Sequence, residues 1–306
     1  MSYTVTLSTV ILMIAYAIPG YLLMKTKMTR PTAIPAYASL LLYVCTPVQM
    51  LYGMQKITRT AYMLKYLAWT FVLSIVIMGS SIAILYFITR KKQSDPNYRI
   101  LTTASILGNC SFMGIPLLEA LMPDYPQMIA FTAVFFFGYC VLMWTVASFI
   151  ITRDNRYIRV RKIFMSPPVL AITVSLILFF TDFHFTGQIA AAIELLSKMS
   201  TPLCMFILGG RLALIPLKSI FIGKTQYIAS AIKLILFPLF MLGVCRILPL
   251  EENFIRGLFI IAAVPAGNMV LGFAEIFGEG QQAAANIVLL STLLSIVTLP
   301  AMLLLI

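Results

Sequence analysis

Charge is scarce in this chain. Only 10% of its 306 residues are charged, and just ten are acidic. No polar stretch is long enough to fold by itself, which excludes a separate soluble domain. Histidine occurs once, at His184, in a short turn-like stretch. That argues against histidine proton relays and histidine-based metal sites. The five cysteines are Cys45, Cys110, Cys140, Cys204 and Cys245. All fall inside apolar runs without metal-ligand spacing, so small buried hydrophobes are expected rather than disulfides. The Asp-rich motifs of prenyl transfer are missing, as are the Ser/His or paired-Asp arrangements of intramembrane proteolysis. An enzyme is therefore not expected, and no catalytic residue, cofactor or metal site is nominated.

What the chain does have is apolar length. It is 61% hydrophobic, with mean hydropathy +0.98, against about 45–50% apolar in ordinary soluble domains. This composition implies an all-α polytopic membrane protein. A helix crossing the hydrocarbon core needs about 20 apolar residues. Stretches of that kind fall near 5–24, 34–52, 64–89, 99–121, 127–152, 168–186, 189–213, 225–249, 254–277 and 283–305, predicting ten transmembrane helices. The first run lacks a basic leader and continues to about Met24, so a retained first helix is expected. The net charge of +12 would suggest nucleic acid in a soluble chain. Here the basic residues sit in short loops, as cytoplasmic anchors do, and no nucleic-acid partner is expected. Lys and Arg concentrate in alternate loops, including Lys25–Arg30, Arg90–Arg99, Arg153–Lys162 and Arg211–Lys224. Placing those loops inside puts both termini outside, in an integral protein of the cytoplasmic (inner) membrane.

Two of the apolar stretches are interrupted. Gly108-Asn109-Cys110-Ser111-Phe112-Met113-Gly114-Ile115-Pro116 breaks the fourth, and Val264-Pro265-Ala266-Gly267-Asn268 breaks the ninth. Unwound backbone survives in hydrocarbon only where protein, water or solute satisfies it. Two interrupted helices in matching positions of two halves point to a secondary transporter and to its binding site. A repeat is faintly legible. Cys45-Thr46-Pro47-Val48-Gln49-Met50 resembles Ser200-Thr201-Pro202-Leu203-Cys204-Met205, and Gly108-Asn109 matches Gly267-Asn268 at nearly the same offset. Five helices per half is an odd number, so the halves would insert with opposite orientation. The expected organisation is a 5+5 inverted repeat with broken, crossing helices four and nine. Residues 1–152 form the first repeat, 153–166 a basic cytoplasmic linker, and 167–306 the second repeat.

The residue types at the breaks suit a small organic anion. Half-helix N-termini offer free N–H groups and partial positive charge, and an asparagine amide adds two donors. Asn109 and Asn268, with Gly108, Met113, Pro116, Pro265 and Gly267, are the candidate substrate-binding residues; alternatively the asparagines only bridge helices. Thr46, Gln49 and Thr201 flank the prolines of the second and seventh helices. They either line the cavity or mend their own kinks. Glu194 and Lys198, four residues apart, and the isolated Lys233 are coupling candidates, because intramembrane charges are functional by default; Lys233 either balances an anionic substrate, sits neutral or pairs with an acid. Glu194 and Lys198 sit close enough to the outer surface to snorkel instead. Glu119 and Glu275 lie at span ends.

At this point the motifs resemble a known family. Gly108 to Leu118 is similar to the fourth-helix motif of the auxin efflux carrier family. Val264-Pro265-Ala266-Gly267 and Gly272-Phe273-Ala274-Glu275 resemble its ninth helix. Ile18-Pro19-Gly20-Tyr21-Leu22, Ser200-Thr201-Pro202 and Leu293–Pro300 resemble its first, seventh and tenth. The resemblance covers nearly the whole chain and places it with the bile-acid, arsenite and riboflavin transporters. It implies a homodimer, a scaffold of helices 1, 2, 6 and 7, and a mobile transport domain of helices 3–5 and 8–10 moving as an elevator. The short loop between helices five and six is like that of bacterial members assigned to malate, malonate or similar acids. Two departures stand out. Ala68-Trp69-Thr70 lacks the acidic residue of the plant third helix, and Met269-Val270 replace a second proline in the ninth. Proton linkage and an auxin-shaped pocket are therefore not carried over. The expected function is efflux of small organic anions such as carboxylates, from a midplane site at the helix 4/9 crossing. The alternative is a sodium-coupled symporter of the bile-acid transporter type, which needs hard oxygen ligands that are scarce near the breaks.

Overall fold

The computed structural model describes residues 3–158, 165–216 and 218–306, with side chains from residue 7 onward in the first stretch. The described residues are mostly helical, and pairing outside helices is limited among them to one isolated antiparallel bridge. Seven helices are long and apolar enough to cross a bilayer. They are α1 (Leu7–Lys25), α2 (Pro31–Met54), α3 (Ala61–Lys92), α6 (Gln127–Thr152), α8 (Gly187–Leu214), α9 (Lys224–Ile247) and α12 (Gln281–Leu303). Between them lie α4 (Pro96–Ala104), α5 (Cys110–Leu121), α7 (Pro167–Phe180), α10 (Glu252–Ala263) and α11 (Asn268–Phe277). Each of the ten apolar stretches expected from the sequence is thus helical. The fourth and ninth are each two half-helices.

Local chemistry sets the ends. The Thr60 hydroxyl accepts from the Met63 N–H and starts α3. The Asp95 carboxylate accepts from the Asn97 N–H, with Pro96 in the first turn of α4, where its missing N–H costs nothing. Gly278, at φ +74°, closes α11 in the left-handed region that glycine tolerates. The outer faces carry aliphatic and aromatic side chains such as Leu12, Leu22, Val76 and Phe87, all exposed. That surface would be a liability in water and is what lipid requires.

One expected stretch is shorter than the sequence suggested. The helix expected over 168–186 stops at Phe180. The Thr181 hydroxyl bonds back to the Ile177 carbonyl, and Asp182 takes φ +55°. The following turn is then held by the loop after α2. The Gln55 amide donates to the Phe183 carbonyl at 3.2 Å, and a His184 ring nitrogen lies 3.1 Å from the Ile57 carbonyl. His184 serves this turn. Of the expected basic linker 153–166, residues 159–164 lie outside the described residues.

The helices sort into two sets. α8 lies along α1 and α2, and α7 lies along α2. The contact between α1 and α8 is close enough that a Cβ on Gly209 would meet the Ala17 carbonyl, and one on Gly20 would meet that of Phe206. In the other set α3 packs on α6, α9 on α10, and α12 on α4 and α9. The two half-helix pairs belong to this second set, and the sets meet where α5 packs on α1 and α8, α6 on α2, and α12 on α1.

Candidate functional site: the crossing of two broken helices

The two breaks meet. Gly108 and Ala266 form the antiparallel bridge. The Asn109 N–H donates to the Pro265 carbonyl at 2.8 Å, and the Gly267 N–H donates to the Leu107 carbonyl at 2.9 Å. Each unwound segment therefore supplies the partner that the other lost when its helix stopped, as burial demands. The Ser291 hydroxyl of α12 takes the Ala266 N–H at 3.1 Å. Glycine is required here for space. A Cβ on Gly267 would stand 2.9 Å from the Gly108 carbonyl oxygen and 3.0 Å from the Tyr139 hydroxyl.

Asn109 and Asn268 both lie by Cys204 of α8. The Asn268 amide donates to Cys204 Sγ at 3.0 Å, and the Asn109 side chain lies near the same thiol. Sulfur is a weak acceptor, so this arrangement leaves polar capacity unused. Asn268 Oδ1 has no partner. Asn268 begins α11, where the helix N-terminus adds its unpaired N–H groups and partial positive charge.

The helix after the first break is anchored by α8 and α2. Pro116 has no N–H to give the Phe112 carbonyl four residues earlier. The Thr201 hydroxyl of α8 fills that place at 2.8 Å. The Ser111 hydroxyl donates to Gln49 Oε1 of α2 at 2.8 Å. Thr46, by contrast, donates to the Leu41 carbonyl of its own helix and is fully buried, mending the kink before Pro47. Met113 is likewise fully buried. Neither lines the cavity described next, and neither do Gly108, Asn109, Pro265, Gly267 and Asn268.

A cavity of about 330 Å³ opens between α1, α2, α5 and α8. Gln49, Pro116, Glu119, Ser197, Lys198 and Thr201 are among the residues that line it. Its wall thus includes Gln49 and Thr201, the two side chains that hold the unwound residues after Asn109. A second cavity of about 320 Å³ shares Glu119 and Lys198 and extends to Tyr52 and Lys56. Lys198 pairs with Glu194 at 2.7 Å, and both are well exposed. Lys233 is elsewhere: it lies on α9, buried, with its ammonium donating to the Ala262 carbonyl.

The opposite end of the bundle is tied shut by ions. Arg211, near the end of α8, holds both Glu275 carboxylate oxygens of α11, one at 3.0 Å. Arg99 of α4 pairs with Glu279 at 2.8 Å and donates to the Ile151 carbonyl at 2.6 Å. The first of these pairs joins the two helix sets. Cys204, Ser111 and this ion pair were not singled out from the sequence. Cys204 could have been, since it lies three residues after Thr201 and shares its helix face.

Residues 4–303 match the family described as "Membrane transport protein". A protein of Rhizobium meliloti (strain 1021) named "Putative malonate transporter" is 29% identical over 147 residues. That similarity covers 48% of this chain and 45% of the relative's length, so the chain matches about half of that protein.

Proposed function

The chain belongs to the membrane transport protein family, that of the auxin efflux carriers, and from that premise we propose that it is a secondary carrier of small organic anions, acting by alternating access. It is a transporter and not an enzyme. The observation that carries the anion reading is the placement of Asn109 and Asn268 at two helix breaks that bond each other, with Asn268 Oδ1 left without a partner. A carboxylate at that place would accept from amide groups and from the N-terminus of α11 without a bare cation being desolvated. The relative named for malonate supports a small carboxylate as the substrate class.

In this reading ten helices span the inner membrane as a 5+5 inverted repeat, residues 1–152 and 167–306, joined by a cytoplasmic linker. The antiparallel pairing of Gly108 with Ala266 supports the inverted relation, because two-fold-related segments meet in that sense. Both termini face outside. The cavity beside Lys198 then opens outward, and the Arg211–Glu275 pair closes the inner side. The scaffold is α1, α2, α7 and α8. The remaining helices move against it as an elevator, within a homodimer, in the direction of efflux. The contact pattern that sets α1, α2, α7 and α8 together supports that division.

Counterflow of labelled malonate in proteoliposomes tests the function. Exchange that requires unlabelled acid on the other side is expected. Binding without exchange would make the protein a receptor and overturn the proposal.

A further inference from the structure

The loop between α1 and α2 carries positive charge that nothing in the chain balances. Lys25, Lys27 and Arg30 fall within six residues, and the first acidic residue of the sequence is Asp95. Basic residues elsewhere hold carboxylates: Arg99 pairs with Glu279, Arg156 with Asp154 and Arg211 with Glu275. None of the ion pairs among the described residues includes Lys25, Lys27 or Arg30.

These three side chains face a common space. With Thr29 they line a cavity of about 580 Å³, whose wall also includes Ala213 and Leu214 at the end of α8. No acidic side chain lines it. Its volume is within the range of about 300–1,000 Å³ found for small-ligand pockets. Because α1 is long and apolar enough to span and ends at Lys25, the cavity lies at a membrane surface. Leu22, Met28 and Leu214, close by in the same segments, are exposed. A site for a water-borne anion has no use for that apolar surface, whereas acyl chains cover it.

The backbone of the loop is fixed. The Lys27 N–H donates to the Met24 carbonyl at 3.2 Å, and the Thr29 N–H to the Leu23 carbonyl at 3.1 Å, closing the end of α1. Lys27 takes φ +60°, the left-handed position after a helix that glycine usually fills. A side chain is strained there, so local stability favours glycine at 27. What lysine adds is an ammonium in the cavity wall. We propose that this cavity binds the phosphate of an anionic membrane phospholipid, and that the bound lipid holds the α1–α2 loop against the end of α8. The ammonium and guanidinium groups donate to the phosphate oxygens, and the acyl chains lie on the exposed apolar side chains. In the orientation proposed above the loop faces the cytoplasm, where the leaflet is anionic.

The experiment titrates full-length protein in dodecyl maltoside with short-chain phosphatidylglycerol or with phosphatidylcholine of the same chains, and reads the melting temperature. Phosphatidylglycerol is expected to raise it at much lower concentration. Equal effects of the two lipids would overturn the proposal. Each Lys or Arg beside an anionic headgroup is worth about fivefold in affinity. Lys27→Gly should therefore shift the phosphatidylglycerol midpoint about fivefold, and the triple variant Lys25→Gln, Lys27→Gln, Arg30→Gln about a hundredfold. Without lipid, Lys27→Gly should melt no lower than wild type, because glycine relieves the strain. A lower melting temperature with an unchanged midpoint would make Lys27 structural and overturn the proposal. Lys27→Gly also decides the matter if the triple variant does not purify. Removing the same charge from another loop, by Arg90→Gln, Lys91→Gln and Lys92→Gln, should leave the midpoint at its wild-type value. An equal loss there would reduce the effect to general surface charge and remove the site. Inorganic phosphate alone should not reproduce the shift. If it does so at the same concentration as the lipid, the cavity takes a free anion and the lipid assignment falls.

Discussion

The backbone N–H of Asn109 donates to the carbonyl of Pro265 at 2.8 Å, so the break in the fourth helix is closed by the break in the ninth. Neither break is stable in a bilayer alone, because each exposes backbone groups that hydrocarbon cannot satisfy. The crossing is therefore one cooperative unit built from two distant pieces of chain.

Gly267→Ala should disrupt that unit. Its Cβ would press on the Gly108 carbonyl and on Tyr139, and neither can withdraw without opening the crossing. Overpacking of this kind costs about 1–3 kcal/mol. A lowered melting temperature together with lost counterflow is expected. Wild-type values for both would show that the two segments have room to part.

Asn109→Ala should weaken malonate binding by about tenfold to a hundredfold, as loss of a charge-assisted hydrogen bond does. Folding should be largely kept, since the backbone bond to Pro265 does not need the side chain. Titration and melting on the same sample decide the matter. Normal binding with a much lower melting temperature would identify the amide as helix glue.

Arg211 and Glu275 join the two helix sets at the end opposite the cavity. Arg211→Gln or Glu275→Gln should favour the inward-facing state. The pair is partly exposed, so a shift of about 1 kcal/mol or less is expected. Labelling of Ser197→Cys from outside, in a protein lacking its native cysteines, should slow by up to about fivefold. The swapped pair Arg211→Glu with Glu275→Arg should restore the rate. Unchanged labelling in all three variants would remove the pair from the gate.

Transport should not need sodium. Among the described residues no group of three His, Cys, Asp or Glu side chains could hold a metal ion. Backbone carbonyls can coordinate ions unaided, but the Ala262 carbonyl is already taken by Lys233. Exchange rates should be equal in sodium, potassium and choline media. A rate that collapses without sodium would favour the symporter alternative.

Acid should loosen the end of the second helix set that holds Glu251. Glu251, just before α10, accepts hydrogen bonds from the hydroxyls of Tyr62 and Tyr125, the latter at 2.7 Å. Those bonds, the Tyr62 one foremost, hold its carboxyl below the usual glutamate range. A lowered folded-state value means the stabilisation is fully present above the ordinary glutamate pKa. It is lost as pH falls through the lowered one. The melting temperature of wild type should therefore decline over that acid range more steeply than that of Glu251→Gln. Parallel declines would show that Glu251 is not part of the acid response.

Local chemistry made much of this legible in advance. Glycine, proline and asparagine inside an apolar run are conspicuous, because lipid penalises unwound backbone wherever it occurs. Gly108 to Pro116 and Val264 to Asn268 could therefore be marked as breaks from one sequence. Thr46 and Thr201 show where that reasoning ends. They occupy matching positions before prolines, yet Thr46 bonds its own helix while Thr201 bonds the Phe112 carbonyl of another. Nothing local distinguishes them. The turn at 181–187 after α7 is legible in the sequence, but what holds it is not, since Gln55 and Ile57 come from far along the chain.

The sequence by itself determined the membrane class, the helical stretches and the positions of the breaks, because burial of apolar length and the loss of backbone hydrogen bonds are properties of contiguous residues. The partners come from the tertiary structure: Asn109 with Pro265, Asn268 with Cys204, Arg211 with Glu275, and Lys233 on the carbonyl of Ala262. Each joins residues remote in sequence. Which donor reaches which acceptor depends on how the helices cross, and that is set by the packing of the whole bundle.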